Sequence, residues 1–258
     1  MPSEPRALAA LLAATILPAC AHLDAGAEPT SAPSSPAPRP NRLSVALQQD
    51  FGLASAQDPC TKESQLTQGL SCFRSNETQY HGTPELDTAA PHSGLTPATT
   101  RLLFGFDRVL REHWTLGLRG GFVFAGGGPR PDGSAAHAFL PFHGEARVAY
   151  WFGVPPGTGP GLRGGLFVGG GIAQVDTPWR VVVDEDTSVR PSAAQPSNPL
   201  AQTLTVYKKA GTGFLGGGAS LACAVDAASA FFLDVKLMQL FPSSGTVVAP
   251  EIGYEHGF

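Results

Sequence analysis

The feature that most constrains the fold of this chain is an alternation of apolar and polar residues that recurs along most of its length. In the segment 231–241, the odd-numbered positions other than 239 carry Phe, Leu and Val, while the even-numbered positions include Asp234 and Lys236. A period of two places successive side chains on opposite faces, which is typical of a β-strand with one apolar and one polar face. The alternation occurs in eight segments, at 43–53, 101–110, 114–125, 143–153, 162–175, 204–225, 231–241 and 247–258.

The connectors between these segments indicate how the strands are arranged. Three of them, at 54–100, 126–142 and 176–203, are long, and short connectors alternate with them, except that the last is also short. Transmembrane barrels have an even number of antiparallel strands, with short turns at the periplasmic end and longer loops at the outer end. The pattern therefore predicts an all-β fold: an eight-stranded antiparallel up-and-down transmembrane β-barrel over residues 43–258, with long outer loops and both termini in the periplasm.

The charged residues on the polar face favour a membrane barrel over a soluble β-sandwich. The acids of that face are Asp50, Asp107, Glu145, Asp234, Glu251 and Glu255, and the bases are Arg101, Arg119, Arg147, Arg163, Lys208 and Lys236. In water such charges need no partners, whereas the narrow interior of an eight-stranded barrel requires pairing, because an unpaired buried charge is costly. The matched signs predict an ion-paired lumen without an open pore. A soluble periplasmic β-sandwich or lipocalin-like carrier with a solvated charged face stays open as an alternative.

The N-terminal part of the chain differs in composition from the rest. Residues 1–21 combine a lone arginine, an apolar stretch and small residues, the pattern of a secretory signal peptide. Cleavage after Ala21 fits this pattern, and so does cleavage before Cys20, because the residues that end there resemble a lipoprotein box. Residues 22–42 are rich in Pro, Ala and Ser and predict an extended tether.

Two cysteines in the first long connector suit a disulfide. Cys60 and Cys72 lie twelve positions apart in a polar segment, and an exported chain meets an oxidising environment. Two free thiols are the alternative. A metal pair is disfavoured, because neither a His nor a second Cys pair lies at ligand spacing.

No segment carries a motif for a catalytic, cofactor-binding or nucleic-acid-binding site. The net charge of −4 includes no basic stripe of the kind that nucleic acid requires. The glycine runs at 126–128, 169–171 and 216–218 do not open a helix with the Lys and Ser/Thr of a phosphate-binding loop. The acidic run 184–186 is typical of a solvated loop. We therefore expect no catalytic residue, no cofactor, no metal ion and no nucleic-acid partner.

One alternative would make the barrel an enzyme. His143 and Glu145 lie two residues apart on one face, near the outer end of the fourth segment. A lipid-modifying barrel could use His143 near its rim, but the sequence offers no readable nucleophile partner. The favoured interpretation is a histidine that makes interfacial or lumen hydrogen bonds.

The last eight residues resemble the closing-strand signal of bacterial outer-membrane barrels. Glu251, Gly253 and Phe258 match its polar, glycine and terminal aromatic positions, while His256 stands where an aromatic or apolar residue is usual. With the eight segments, the chain resembles small OmpA-like or OmpX-like barrels over residues 43–258. The resemblance implies a bacterial outer-membrane location, contact with outer-membrane lipid, and recognition of Gly253, His256 and Phe258 by the barrel-assembly machinery. The expected role is a non-enzymatic membrane anchor or surface-loop scaffold with an unknown partner at its loops.

Overall fold

The computed structural model describes residues 39–86, 92–132, 138–186, 188 and 200–258. The predicted signal peptide and the tether as far as residue 38 lie outside the described residues, and so does Cys20. The elements are β1 (Asn41–Ala56), α1 (Lys62–Thr67), β2 (Leu70–Phe73), β3 (His92–Arg111), β4 (Trp114–Ala125), β5 (Phe142–Gly153), β6 (Gly161–Ala173), β7 (Asp176–Asp184), β8 (Ala201–Lys209), β9 (Gly213–Ala224), β10 (Ser229–Phe241) and β11 (Thr246–Gly257). No helix in the described part of the chain is long and apolar enough to cross a membrane.

Eight of the strands form a closed antiparallel barrel. Around the ring the order is β1, β11, β10, β9, β6, β5, β4 and β3. Each barrel strand therefore pairs with the next barrel strand in the sequence, and the last one, β11, pairs with β1. The predicted eight-stranded up-and-down barrel is confirmed. Both ends of the barrel sequence meet at one rim, where Arg42 pairs with Gly257. We call this rim the terminal end and the opposite rim the lobe end.

The barrel wall has its apolar side chains outside and its charges inside. On β10, Phe231, Leu233 and Leu237 are exposed, whereas Asp234 and Lys236 are buried. The other barrel strands repeat this arrangement, with exposed large hydrophobic residues facing outward around the ring. A wall that is apolar on the outside suits hydrocarbon and not water, so the barrel is a transmembrane one and the soluble sandwich is the wrong fold.

Strand β11 closes the ring in spite of Pro250, which lies within the strand. On one side Pro250 pairs with Val235 of β10. On the other side, β1 pairs at Gln48 with Glu251 and at Phe51 with Val248, with no pair between them. Proline has no amide hydrogen to donate, which accounts for an interruption at this point of the ladder.

A second, smaller sheet was not predicted. Strands β2, β8 and β7 form it in that order, and together with α1 and the projecting ends of β1 and β3 they build a structure that we call the lobe. Its core consists of Ala54, Ala56, Cys60, Leu70, Cys72, Tyr80, Trp179, Val181, Val183, Leu204 and Val206. The long connectors at 54–100 and 176–203 therefore contain ordered strands.

The sixth alternating segment, 204–225, is in fact two strands in two different sheets. Strand β8 belongs to the lobe and β9 to the barrel, and the chain turns between them at Gly211, whose φ is +134°. A Cβ at Gly211 would lie 2.7 Å from the carbonyl oxygen of Phe241, so only glycine allows this close approach. The two strands share similar alternation, which is why the sequence pattern merges them.

Candidate functional site

The charged interior of the barrel holds most of the residues that the sequence marked as functional. At its terminal end, Arg42 and Arg163 share the carboxylate of Glu255. The Arg42 Nη2 atom lies 3.0 Å from Glu255 Oε1, and Arg163 donates a hydrogen bond to the same oxygen. The guanidinium of Arg163 also lies over the Trp151 ring, 5.1 Å from its centroid. All four side chains are buried.

The middle of the interior is organised around Asp234, which has two arginine partners. Arg147 Nη1 donates to Asp234 Oδ2 at 2.8 Å, and Arg119 Nη2 lies 3.8 Å from the same oxygen. Arg119 also donates to Glu251, and Arg147 Nε lies 3.6 Å from Asp107. These residues come from β3, β4, β5, β10 and β11, so the network joins strands across the lumen.

Nearer the lobe end, Glu145 binds one lysine and one histidine. Lys236 Nζ donates to Glu145 Oε2, and His143 Nε2 lies 3.1 Å from the same oxygen. The Phe214 ring faces both bases, with Lys236 Nζ 5.4 Å and the His143 ring centre 5.6 Å from its centroid. The His143 side chain is 0% exposed, so the residue lies inside the barrel and away from the lipid-facing wall.

A fourth group surrounds Asp50, which is completely buried. Arg101 Nε donates to Asp50 Oδ2 at 2.6 Å, Gln48 Nε2 donates to Asp50 Oδ1 at 2.6 Å, and the Thr99 hydroxyl also donates to this carboxylate. Arg101 Nη2 donates to the carbonyl oxygen of Gln174 at 2.6 Å. This last bond ties the barrel wall to the segment that leads from β6 into the lobe.

Two apolar layers lie among these polar groups. One consists of Ala46, Leu103, Ala149, Trp151, Phe167, Ala222 and Phe232. The other, at the lobe end, consists of Ala98, Ala173, Val175, Ala210, Phe214, Met238, Leu240, Val247 and Ala249. Rings of these layers also meet cations: Arg119 lies 5.2 Å from the Phe232 centroid and Arg147 lies 5.2 Å from the Phe167 centroid. Such contacts stabilise a cation most when water is excluded.

The structure places every predicted lumen residue in the interior except Lys208. Lys208 lies on β8 in the lobe, where its Nζ atom is 3.4 Å from the Ser55 carbonyl oxygen. Its assignment to the lumen was wrong, because it depended on treating β8 and β9 as one strand. The interior base that the sequence interpretation missed is Arg42, which was placed in the tether. Arg42 has the parity of Asp50 on β1, so starting the strand one residue earlier would have found it.

The predicted assembly residues lie on and beside the closing strand. Gly253 faces inward, and the Phe232 ring fills the space that a side chain there would need, since a Cβ would lie 2.4 Å from Phe232 Cζ. His256 and Phe258 are exposed. The backbone amide of Phe258 donates to the carbonyl oxygen of Asn41 at 2.9 Å, which holds the end of the chain against the start of β1.

Within the lobe, the predicted disulfide between Cys60 and Cys72 is present. It joins the segment before α1 to strand β2. Thr61 caps that helix by accepting a hydrogen bond from the Ser64 amide at 3.1 Å. The predicted loop acid Glu185 is a structural group: its carboxylate accepts hydrogen bonds from the Tyr80 hydroxyl, from Gln202 Nε2 and from the Thr83 amide. Burial, with Glu185 as a further cause, raises the pKa of Tyr80.

The described residues include no group of three or more His, Cys, Asp or Glu side chains placed to hold a metal ion. The arrangement in the interior is one of paired ions and stacked cations. Among the described side chains, these ion pairs link the strands of the barrel to one another.

Comparison with known proteins gives likeness in fold only. No family model matches the chain, and no curated protein matches it. Among solved structures it is similar to the N-terminal β-barrel domain of Pseudomonas aeruginosa OprF, with 12% identity and a TM-score of 0.32 over 82% of this chain and 96% of that chain. It is also similar to Ail, the attachment invasion locus protein of Yersinia pestis, with 9% identity and a TM-score of 0.36 over 85% and 99%.

A third likeness is to the outer membrane protein OprG from Pseudomonas aeruginosa, with 10% identity and a TM-score of 0.30 over 86% of this chain and 97% of that chain. By their descriptions, the OprF structure is a β-barrel domain and OprG is an outer-membrane protein. The assignment of the fold depends on the chain's own closed ring of eight strands and not on these likenesses.

Proposed function

We propose that this protein is a bacterial outer-membrane barrel that acts as a non-enzymatic anchor and holds the lobe at the outer surface. In this proposal the interior is a closed, ion-paired core, both termini are periplasmic, and the surface that meets a partner belongs to the lobe. The observation that carries the proposal is the complete burial of charged pairs such as Asp50 and Arg101, both 0% exposed.

Complete burial argues against an open pore. A water-filled channel leaves the side chains that line it accessible, as in large porins, whereas a small barrel fills its interior with side chains. Here Met238, Leu240 and Val247 are 0% exposed at the lobe end, in the apolar layer that lies beyond the ion pairs. A permeating ion would have to lose its hydration while it passed among these buried apolar side chains, which is costly.

The lobe offers a surface for recognition outside the barrel wall. It has its own core and disulfide, and the paired barrel strands β1 and β3 continue into it beyond a register shift between Gln49 and Phe51. A rigid connection of this kind fixes the lobe relative to the membrane. Presentation of a surface by an anchored barrel therefore suits the architecture better than catalysis inside the barrel does.

The position of His143 argues against a lipid-modifying enzyme. A catalytic histidine must reach the proton that it transfers, but the His143 side chain is sealed in the interior with Glu145, Lys236 and Phe214 around it. Lipid lies on the opposite side of the wall. His143 therefore fits a hydrogen-bonding role in the core.

The test of this proposal begins with fractionation and conductance. The full chain should be recovered in the outer membrane, should change its migration in detergent gels on heating, and should give no stable large conductance in planar bilayers. A soluble periplasmic pool would overturn the membrane location, and a large stable conductance would overturn the closed core.

Orientation is tested with two matched variants. Thr203→Cys places a thiol on an exposed position of the lobe, and Thr158→Cys places one on an exposed position of the turn between β5 and β6 at the terminal end. In intact cells, a membrane-impermeant thiol reagent should label the first variant, and it should label the second only after the outer membrane is permeabilised. The reverse pattern would show that the lobe faces the periplasm.

A further inference from the structure

The terminal end of the barrel interior carries more positive than negative charge. Arg42 of β1 and Arg163 of β6 come from opposite sides of the ring, and their side chains are 2% and 1% exposed. Among the described residues, both form their ion pair with Glu255, and both reach the same oxygen, Oε1, through Nη2. Two buried guanidinium groups therefore share one negative charge.

The other charged groups of the interior do not have this excess. Asp107 lies opposite Arg42 on β3, but its ion pair is with Arg147, whose Nε atom is 3.6 Å away. In each of the other groups, the carboxylates equal or outnumber the arginines and lysines. These groups are Asp107, Asp234 and Glu251 with Arg119 and Arg147, Glu145 with Lys236, and Asp50 with Arg101.

The two arginines at the terminal end also have donor atoms to spare. Arg42 Nε, Arg42 Nη1 and Arg163 Nε are buried and have no hydrogen-bond acceptor among the described residues. A buried charged donor without an acceptor is costly. Single donors of this kind occur on other interior arginines as well, but only at the terminal end do they coincide with an excess of positive charge. Both features indicate a missing anion partner.

The backbone leaves space beside one of these donors, on the side of the entrance. A Cβ on Gly257 would lie 3.2 Å from Arg42 Nη1 and 3.4 Å from Arg39 Cβ, so a side chain at this position would fill the space. Arg39 is exposed, and its Nη1 atom donates to the Gly257 carbonyl oxygen at 3.1 Å. It adds a third positive charge where the lumen opens at the terminal end.

We propose that the terminal end of the barrel binds an oxyanion of the phosphate class, which is held by Arg42 and Arg163 and enters past Arg39. A guanidinium group presents its donors as a planar fork that matches two oxygens of a phosphate. The anion supplies acceptors to the buried donors and offsets the excess charge. Binding requires no open pore, because the apolar layer that contains Met238 and Leu240 lies at the lobe end.

The first test is equilibrium dialysis of radiolabelled inorganic phosphate against the folded full chain in a non-ionic detergent. Chloride keeps the ionic strength constant. The native chain should bind phosphate saturably, and Arg163→Gln should weaken the binding at least about tenfold, the factor expected for the loss of a charged hydrogen bond. This variant leaves Arg42 as the partner of Glu255, so the carboxylate keeps an ion pair.

The variant Glu255→Gln gives a result that a defective fold cannot imitate. It removes the carboxylate that competes for both arginines, so phosphate should bind more tightly than to the native chain. Phosphate should also raise the denaturant concentration at which this variant unfolds, because a ligand that binds only the folded state stabilises it. The matched control is Glu251→Gln, which removes a buried carboxylate of the same strand from its partner Arg119 and should not tighten phosphate binding.

Three results would overturn the proposal. They are the absence of saturable phosphate binding by the native chain, unchanged binding in Arg163→Gln, and equal gains in Glu255→Gln and Glu251→Gln. The first would mean that water satisfies the buried donors. Heat-dependent gel migration shows whether each variant has folded.

The phosphate group could belong to a free anion or to a lipid headgroup, and a competition experiment distinguishes these sources. Phosphatidylglycerol is added to the detergent micelles during the dialysis. Displacement of the labelled phosphate assigns the site to a headgroup, and undiminished binding assigns it to the free anion. Both results support an oxyanion site at the terminal end.

Discussion

The barrel and the lobe use the same alternating pattern in opposite senses. In the barrel, Phe231 and Leu233 face outward while Asp234 and Lys236 are buried. In the lobe, Val181 and Val183 are buried against Leu204 and Val206, while Arg180 and Asp184 are exposed. Both regions consist of antiparallel strands with a period of two, so the local backbone does not distinguish them.

The difference between the two regions lies in the solvent around each sheet. Alternation fixes which residues share a face, but the surroundings decide which face is buried. The lobe lies beyond the end of the barrel and buries apolar side chains as a water-soluble sheet does. The wall leaves its apolar face exposed and encloses its ions. The same type of substitution should therefore change the stability of the two regions by different amounts.

The largest expected effect is the loss of an acid from the barrel interior. Asp234→Ala removes one carboxylate partner from both Arg147 and Arg119, whose positive charges stay buried. Breaking a buried ion pair in this way lowers the free energy of unfolding by about 3 to 5 kcal/mol. The measurement is denaturant unfolding of the protein in lipid vesicles, followed by heat-dependent gel migration. The barrel should unfold at markedly lower denaturant concentration.

The matched acid for this experiment is Asp184 at the exposed end of β7. Asp184→Ala removes a carboxylate from the lobe surface and should change stability by less than about 0.5 kcal/mol. Equal effects of the two substitutions would mean that the interior charges are hydrated, which contradicts a closed core.

A smaller effect is expected when a charge replaces an exposed apolar residue. Leu118 on the barrel wall is 61% exposed and Val182 on the lobe is 56% exposed. The exposed fractions of the two side chains are therefore similar. Leu118→Lys places a cation in hydrocarbon and should cost about 2 to 4 kcal/mol. Val182→Lys places it in water and should cost less than about 0.5 kcal/mol. The same vesicle unfolding measurement compares them, and similar small costs for both would place the wall in water.

The contrast also explains what the sequence could and could not predict. The parity of Asp234 and Lys236 identified interior residues because the strand pattern there is unbroken. The same rule misplaced Lys208, because β8 and β9 alternate similarly and only the turn at Gly211 separates them. Parity assigns a residue to a face but does not identify its sheet. The lobe stayed hidden because β2 and β7 lie in segments that were interpreted as connectors, and because β8 was merged with β9.

The sequence also could not predict which acid pairs with which base across the lumen. Matched numbers of acids and bases predicted that pairs exist, but not that Asp234 would serve two arginines while Glu145 would serve Lys236 and His143. Partners depend on the stagger of the strands around the ring, which the closing register of β1 with β11 determines. The same stagger determines which aromatic ring each cation contacts.

The most local of these effects, with no expected change in the stability of the barrel, should come from the lobe disulfide. Cys60→Ser with Cys72→Ser opens a covalent loop with a sequence separation of 12, and cross-links of about this size contribute roughly 3 kcal/mol by restricting the unfolded chain. Because the loop lies wholly within the lobe, that loss should appear as faster proteolysis of the lobe in the native barrel. The denaturant and heat responses of the barrel should stay unchanged. If the barrel weakens as well, the two regions fold as one cooperative unit, and the independence that their opposite polarity suggests is wrong.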